Sequence, residues 1–164
     1  YLFQDGKRIA YITGGLLYNR MGLTTQVPKT IKVASKVKRV TTKIGKIQVK
    51  PVKSYVDVTN ENYYLLEILD ALKDFKTITD IDKKSAIMLL NNKIGTLSEN
   101  ERSKLIRYAL KYPPRATALL GAILELSKKK NGLESLKTKL NPLTTYKIGI
   151  KEEILSTAPK WNIN

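Results

Sequence analysis

Apolar and cationic positions alternate with a period of two through much of the stretch from Pro28 to Lys53, and the period becomes helical from Thr59. Arg8 to Ile12 reads as a short strand running into Thr13-Gly14-Gly15, after which LLYNRMG forms a short helix closed by Gly22. Pro28 disfavours helix at Val27, so TTQVPK is extended or a turn. Three short strands follow, Thr30 to Ala34, Lys38 to Lys43 and Lys46 to Val52, with Ile44-Gly45 where a hairpin turn wants its glycine. Pro51 makes the last strand an edge or ends it. Within this region Ile31 and Val33 alternate with Lys32, and Ile47 and Val49 with Lys46 and Lys50, which predicts one face on the core and a row of ammonium groups on the other.

From Thr59 or Asn60 a capped helix carries Leu65, Ile68, Leu69 and Leu72 at the i, i+3, i+4, i+7 spacing. A second begins at Thr79-Asp80, carries Ile87, Leu90 and Ile94, and ends at Gly95. Ser98 and Glu101 form an S-x-x-E capping box for a third, with Leu105, Ala109 and Tyr112. Pro113-Pro114 stops that helix and opens RATALLGAILELSKKK, whose broad apolar face holds Ala116, Leu119, Leu120, Ile123 and Leu124. Lys128 to Lys130 complement the negative end of its dipole, a structural role, before Asn131-Gly132 stops it. LESLKTKL is then a short helix, TTYKIGI a strand, and the tail with Trp161 docks back on the body. The sum is an α+β fold, a small antiparallel sheet packed against a layer of four to five helices. It forms a single domain over 1–164: a basic β-rich part to about 58, a helical part over 59–140, and a C-terminal strand and tail over 141–164.

Charge changes this picture from scaffold to function. Formal net charge is +16. Residues 1–60 hold twelve basic and two acidic residues, +10; the remainder holds eighteen and twelve, +6. The stretch from Pro28 to Lys53 carries nine Lys or Arg and no acid. Self-repulsion on this scale calls for an anionic partner, and nucleic acid is the commonest polyanion of matching size. No apolar run is long enough to span a bilayer and no signal sequence opens the chain, so a membrane is not expected. The start at Tyr1 reads as a domain of a longer protein.

Cysteine and histidine are both absent, which removes thiolate nucleophiles, Ser-His-Asp constellations and nearly every zinc site. No metal, no cofactor and no catalytic residue is expected. The close acid pairs, Asp80 with Asp82 and Glu152 with Glu153, fit helix N-termini or solvent, and Gly14-Gly15 lacks the remainder of a phosphate-loop motif. For the basic strands two readings stand: a polyanion grip, with pleat spacing near the phosphate repeat of DNA, or a solvated outer sheet face. The unbroken run of cations favours the first. Candidate phosphate contacts are Lys32, Lys36, Lys38, Arg39, Lys43, Lys46 and Lys50. Arg115, in the first turn of its helix, opposes the dipole there and calls for an anion or a carboxylate partner. Tyr11, Tyr18 and Tyr55 are the tyrosines near enough to the basic strands to stack on bases.

GKRIAYITGGLLYNRMGLTTQVPK, KPVKSYVDVTNENYYLLEILDALKDFK, YALKYPPRATALLGAILE and LNPLTTYKIGI, in this order over nearly the whole chain, resemble the AbiEi-type antitoxins, the transcriptional-regulator component of type IV abortive-infection toxin-antitoxin pairs. The resemblance implies a C-terminal domain that contributes to autorepression and antitoxicity in the cytoplasm, with a winged helix-turn-helix expected upstream and absent here. It implies DNA, or RNA, as partner. It also implies a functional link to a nucleotidyltransferase-like toxin without a stable complex, and a positive surface matched by Lys32, Lys36, Lys38, Arg39, Lys43, Lys46 and Lys50. The expected function is therefore non-enzymatic, an antitoxin and regulator domain making sequence-blind phosphate contacts. The alternative is a protein-interaction or dimerisation module in which the LLGAILE helix or the Leu65 to Leu72 face serves a partner and the charge only solubilises.

Overall fold

Helix formation follows the apolar spacing closely. The computed structural model describes residues 2–37 and 42–164, and in them α1 (Gly15–Met21), α2 (Tyr63–Asp74), α3 (Lys83–Gly95), α4 (Glu99–Ala109), α5 (Pro114–Leu126) and α6 (Leu133–Lys139) account for the helical layer. Gly22 closes α1 in the left-handed conformation at φ 84°. The Ser98 hydroxyl accepts from the Glu101 N–H while the Glu101 carboxylate accepts from the Ser98 N–H, so the capping box is complete. Two helices start later than their spacing suggests. Asn62 ties down the turn before α2 by accepting from the Thr59 N–H and donating to the Asp57 carbonyl, and Asp80 at φ 53° holds a turn that keeps α3 from starting before Asp82.

At the centre lies α5, with every residue from Ala116 to Leu124 buried. It packs against α2, α3, α4, α6 and a short 3₁₀ turn, Ala158–Trp161. Gly121 is where that turn closes in, for a Cβ there would overlap the Trp161 ring. The indole nitrogen donates to Glu125 at 2.7 Å, so the tail docks as its composition suggests. TTYKIGI, by contrast, is not a strand: Tyr146 makes one parallel bridge to Ile163, and Gly149 turns the chain at φ 81°.

Four strands form the main sheet in the order β3 (Ala10–Thr13), β4 (Thr30–Ser35), β6 (Ile47–Lys53), β5 (Thr42–Ile44), and a separate two-stranded ribbon joins β1 (Phe3–Gln4) to β2 (Lys7–Arg8). The architecture is α+β. The sheet, however, is mixed: β3 pairs β4 and β5 pairs β6 antiparallel, but β6 inserts between β4 and β5 and runs parallel to β4. The expectation that Pro51 makes this strand an edge or ends it is corrected: β6 is an inner strand and runs on to Lys53, and among the described residues its pairing with β5 stops at Val49, two residues short of the missing N–H.

Candidate polyanion surface

The face carrying the lysines follows from the register. Thr13 lies opposite Lys32 and Tyr11 opposite Ala34; Lys32 is in turn level with Lys50, Ala34 with Val52, and Lys43 with Gln48. Partners across a ladder share a face. Tyr11 and Thr13 point at α2, so Lys32, Lys50 and Lys43 extend the face turned toward the helices, beyond the area the helices cover. The expectation of a core face opposed by a lysine face is therefore corrected. Ile12, Ile31, Val33, Ile47 and Val49 turn the other way, outside the main core cluster: Val49 is buried, Ile12, Ile31 and Val33 are half-buried, and Ile47 is exposed.

What fixes the sheet to the body is Asp70. Its carboxylate is buried at 3% exposure and accepts from Tyr11 Oη at 2.8 Å, Thr13 Oγ1 at 2.6 Å and Tyr112 Oη at 2.9 Å. Burial pushes the Asp70 carboxyl above its usual range, against the opposing pull of Lys73 and the three hydroxyls. Burial likewise raises Tyr11 and Tyr112, with the Asp70 charge adding to it. Tyr18 is buried too and donates to the Asp70 carbonyl and the Asp74 carboxylate. Neither Tyr11 nor Tyr18 is thus available to stack on a base; their rings are needed inside. Tyr55 is 39% exposed but tilts against Tyr112 with ring centroids 4.5 Å apart.

Of the candidate phosphate contacts, Lys32, Lys43 and Lys50 come together, and all three are exposed. Lys46 is exposed in the turn after Gly45. Lys36 lies past the end of β4 with its ammonium 4.0 Å from Asp57, and Lys38 and Arg39 lie outside the described residues. Arg115 belongs to a separate place. Its position calls for an anion or a carboxylate; among the described residues its partner is instead the C-terminal end of α2, where its Nε donates to the Lys73 carbonyl at 2.7 Å. It lines a cleft with Lys73, Lys76 and Lys147, cations that sequence reasoning passed over because they come from segments far apart in the chain. Asp74 and Thr77, from the same turns as Lys73 and Lys76, line the neighbouring cleft that holds Lys32.

Lys128 to Lys130 line a third cleft with Arg102, but Glu99 shares it, and the Lys128 and Lys129 N–H groups close the end of α5 on Glu125 and Leu124 carbonyls. Among the described residues no group of three or more acidic side chains is placed to hold a metal ion, and no helix is long and apolar enough to cross a membrane. No family model matches the chain, and no curated protein or solved structure is significantly similar to it.

Proposed function

We propose that this chain is a non-enzymatic nucleic-acid-gripping domain of a transcriptional regulator, best read through its motifs as the C-terminal domain of an AbiEi-type antitoxin. On that reading it is cytoplasmic, adds sequence-blind phosphate contacts to an upstream winged helix-turn-helix, and acts against a nucleotidyltransferase-like toxin without holding it in a stable complex. The observation that carries the polyanion part is Lys32 level with Lys50 beside Lys43, on a sheet whose four strands contain no acidic residue. Two like charges set side by side weaken a ladder unless an anion sits between them. The faces that the alternative would use, Leu65 to Leu72 and LLGAILE, are filled by the protein's own core.

The test is a fluorescence-anisotropy titration of labelled DNA and RNA duplexes at several salt concentrations. Affinity should fall with salt by about 0.9 in log–log slope for each phosphate neutralised, and K43E/K50E should weaken binding and flatten that slope. Absence of binding at the lowest salt, or binding indifferent to K43E/K50E, overturns the nucleic-acid reading. The antitoxin reading has its own readout: co-expression with the toxin encoded beside it should restore growth, and no rescue removes that part while leaving the first.

A further inference from the structure

The cleft between the last turn of α2, the first turn of α5 and residues 145–148 has a volume of about 380 Å³ and gathers Lys73, Lys76, Arg115 and Lys147. That volume lies within the range of small-molecule sites. Lys73 has a carboxylate nearby, Asp74 at 3.7 Å, but Asp74 also accepts the Tyr18 hydroxyl. Among the described residues, none of Lys76, Arg115 and Lys147 has a carboxylate within 4.0 Å. A helix-end role accounts for the Arg115 Nε, which closes α2 by taking up the Lys73 carbonyl. It does not account for the guanidinium's terminal nitrogens, which have no hydrogen-bond partner among the described residues and are held in direction by the anchored Nε. Leu72, Pro114, Ile148 and the half-buried Tyr146 supply an apolar wall beside the cations.

We infer that this cleft binds a phosphate monoester carried on a flat, apolar group, that is, the phosphate end of a nucleotide. A nucleic-acid backbone presents single charges at regular intervals, which suits a row of lysines such as the sheet face. Lys76, Arg115 and Lys147 lining one concavity, with Lys73 held beside them by Asp74 and Tyr55, suit a compact group, and a monoester carries about −1.5 to −2 charge near neutral pH. An anchored guanidinium with both terminal nitrogens free offers the two-pronged donor that phosphate oxygens accept. Tyr146 and its apolar neighbours give a base something to lie against. The site uses different elements from the lysine face and does not depend on it.

Isothermal titration of the full chain with adenosine 5′-monophosphate, and with adenosine, tests the inference. The monophosphate should bind saturably and adenosine should not. R115Q should weaken the monophosphate about tenfold or more, the usual consequence of removing a charge-assisted pair of hydrogen bonds. K147Q, on an exposed side chain, should weaken it as well and guards against a folding defect in R115Q, while K43E/K50E should leave it unchanged. A 5′-phosphorylated oligonucleotide that competes where its 5′-hydroxyl twin does not identifies a strand end as the source; failure of both to compete identifies a free nucleotide. Equal binding of adenosine, no binding of the monophosphate, or loss in K43E/K50E but not in R115Q and K147Q overturns the assignment. Because duplex binding and monophosphate binding are read on different variants, either can fail without the other.

Discussion

The helical body and the basic sheet are held to different standards by the same chain. In the body, α5 buries nine consecutive residues and α2 buries seven, and among the described residues no buried side-chain nitrogen or oxygen lacks a hydrogen-bond partner. Carboxylates there have defined roles: Glu101 in a cap, Glu125 on the Trp161 indole, Asp70 under three hydroxyls. The sheet shows the opposite economy, with cations in register, no acid in its strands, and one apolar face only half-covered. Stability is concentrated in the body, and the sheet's charge is surplus to it. The two regions should therefore respond differently to substitution.

The largest effect expected falls in the body. Trp161→Ala removes the indole that fills the groove at Gly121, and a buried Trp replaced by Ala costs about 3–5 kcal/mol. For a chain of this size that is about 10 °C or more in Tm, measurable by circular dichroism. At a temperature where the variant is still folded, its DNA titration should match the parent's. A folded variant that has lost binding would show that the tail and the sheet are not separable.

Asp70 is where the two regions meet, so it gives the sharper comparison. Its carboxyl is raised above the ordinary 3.8, chiefly by burial, with Lys73, Thr13, Tyr11 and Tyr112 opposing. A proton held more tightly by the folded state than by the unfolded chain means stability fully present below about 3.8 and lost as pH rises through the higher folded value. Most paired carboxylates act in the reverse sense. Asp70→Asn cannot titrate, so its stability relative to the parent should improve steadily as pH rises through the mildly acidic range. Urea midpoints measured at a series of pH values will decide; parallel curves for the two proteins would mean that the opposing groups cancel burial, and a relative loss by Asp70→Asn as pH rises would mean that they outweigh it.

The pattern of legibility follows the same division. Gly22, the Ser98–Glu101 box, Pro114 at the start of α5 and the docking of Trp161 could all be read because each depends on residues close in sequence or on a strong apolar period. The insertion of β6 parallel to β4 could not, because alternation shows which residues share a face but not which strand lies beside it. Nor does it show what covers the face, which is why Lys32 and Lys50 fall on the helix side of the sheet. Asp70 was not read: in LLEILDALKDF it lies off the stripe of Leu65, Ile68, Leu69 and Leu72, and its one cue is that it follows Leu66 by four residues. That its partners are Tyr11, Thr13 and Tyr112, and that Arg115 meets Lys76 and Lys147, depends on tertiary packing alone.

The smallest expected effect on stability is the one that divides the regions most clearly. Lys50 is exposed and level with Lys32 across a parallel pair, and among the described residues neither has a carboxylate within 4.0 Å, so the two ammonium groups repel. Lys50→Glu converts that repulsion into an attraction, and directly opposed surface charges are worth about 0.2–1 kcal/mol. The variant should therefore melt at the same temperature as the parent or slightly above it, while its affinity for duplex DNA falls. A residue retained at some cost to the fold and needed for binding is the signature of a functional surface. If Lys50→Glu instead lowers Tm by several degrees, the lysine has a structural partner, the sheet is held to the same standard as the body, and the separation between them fails.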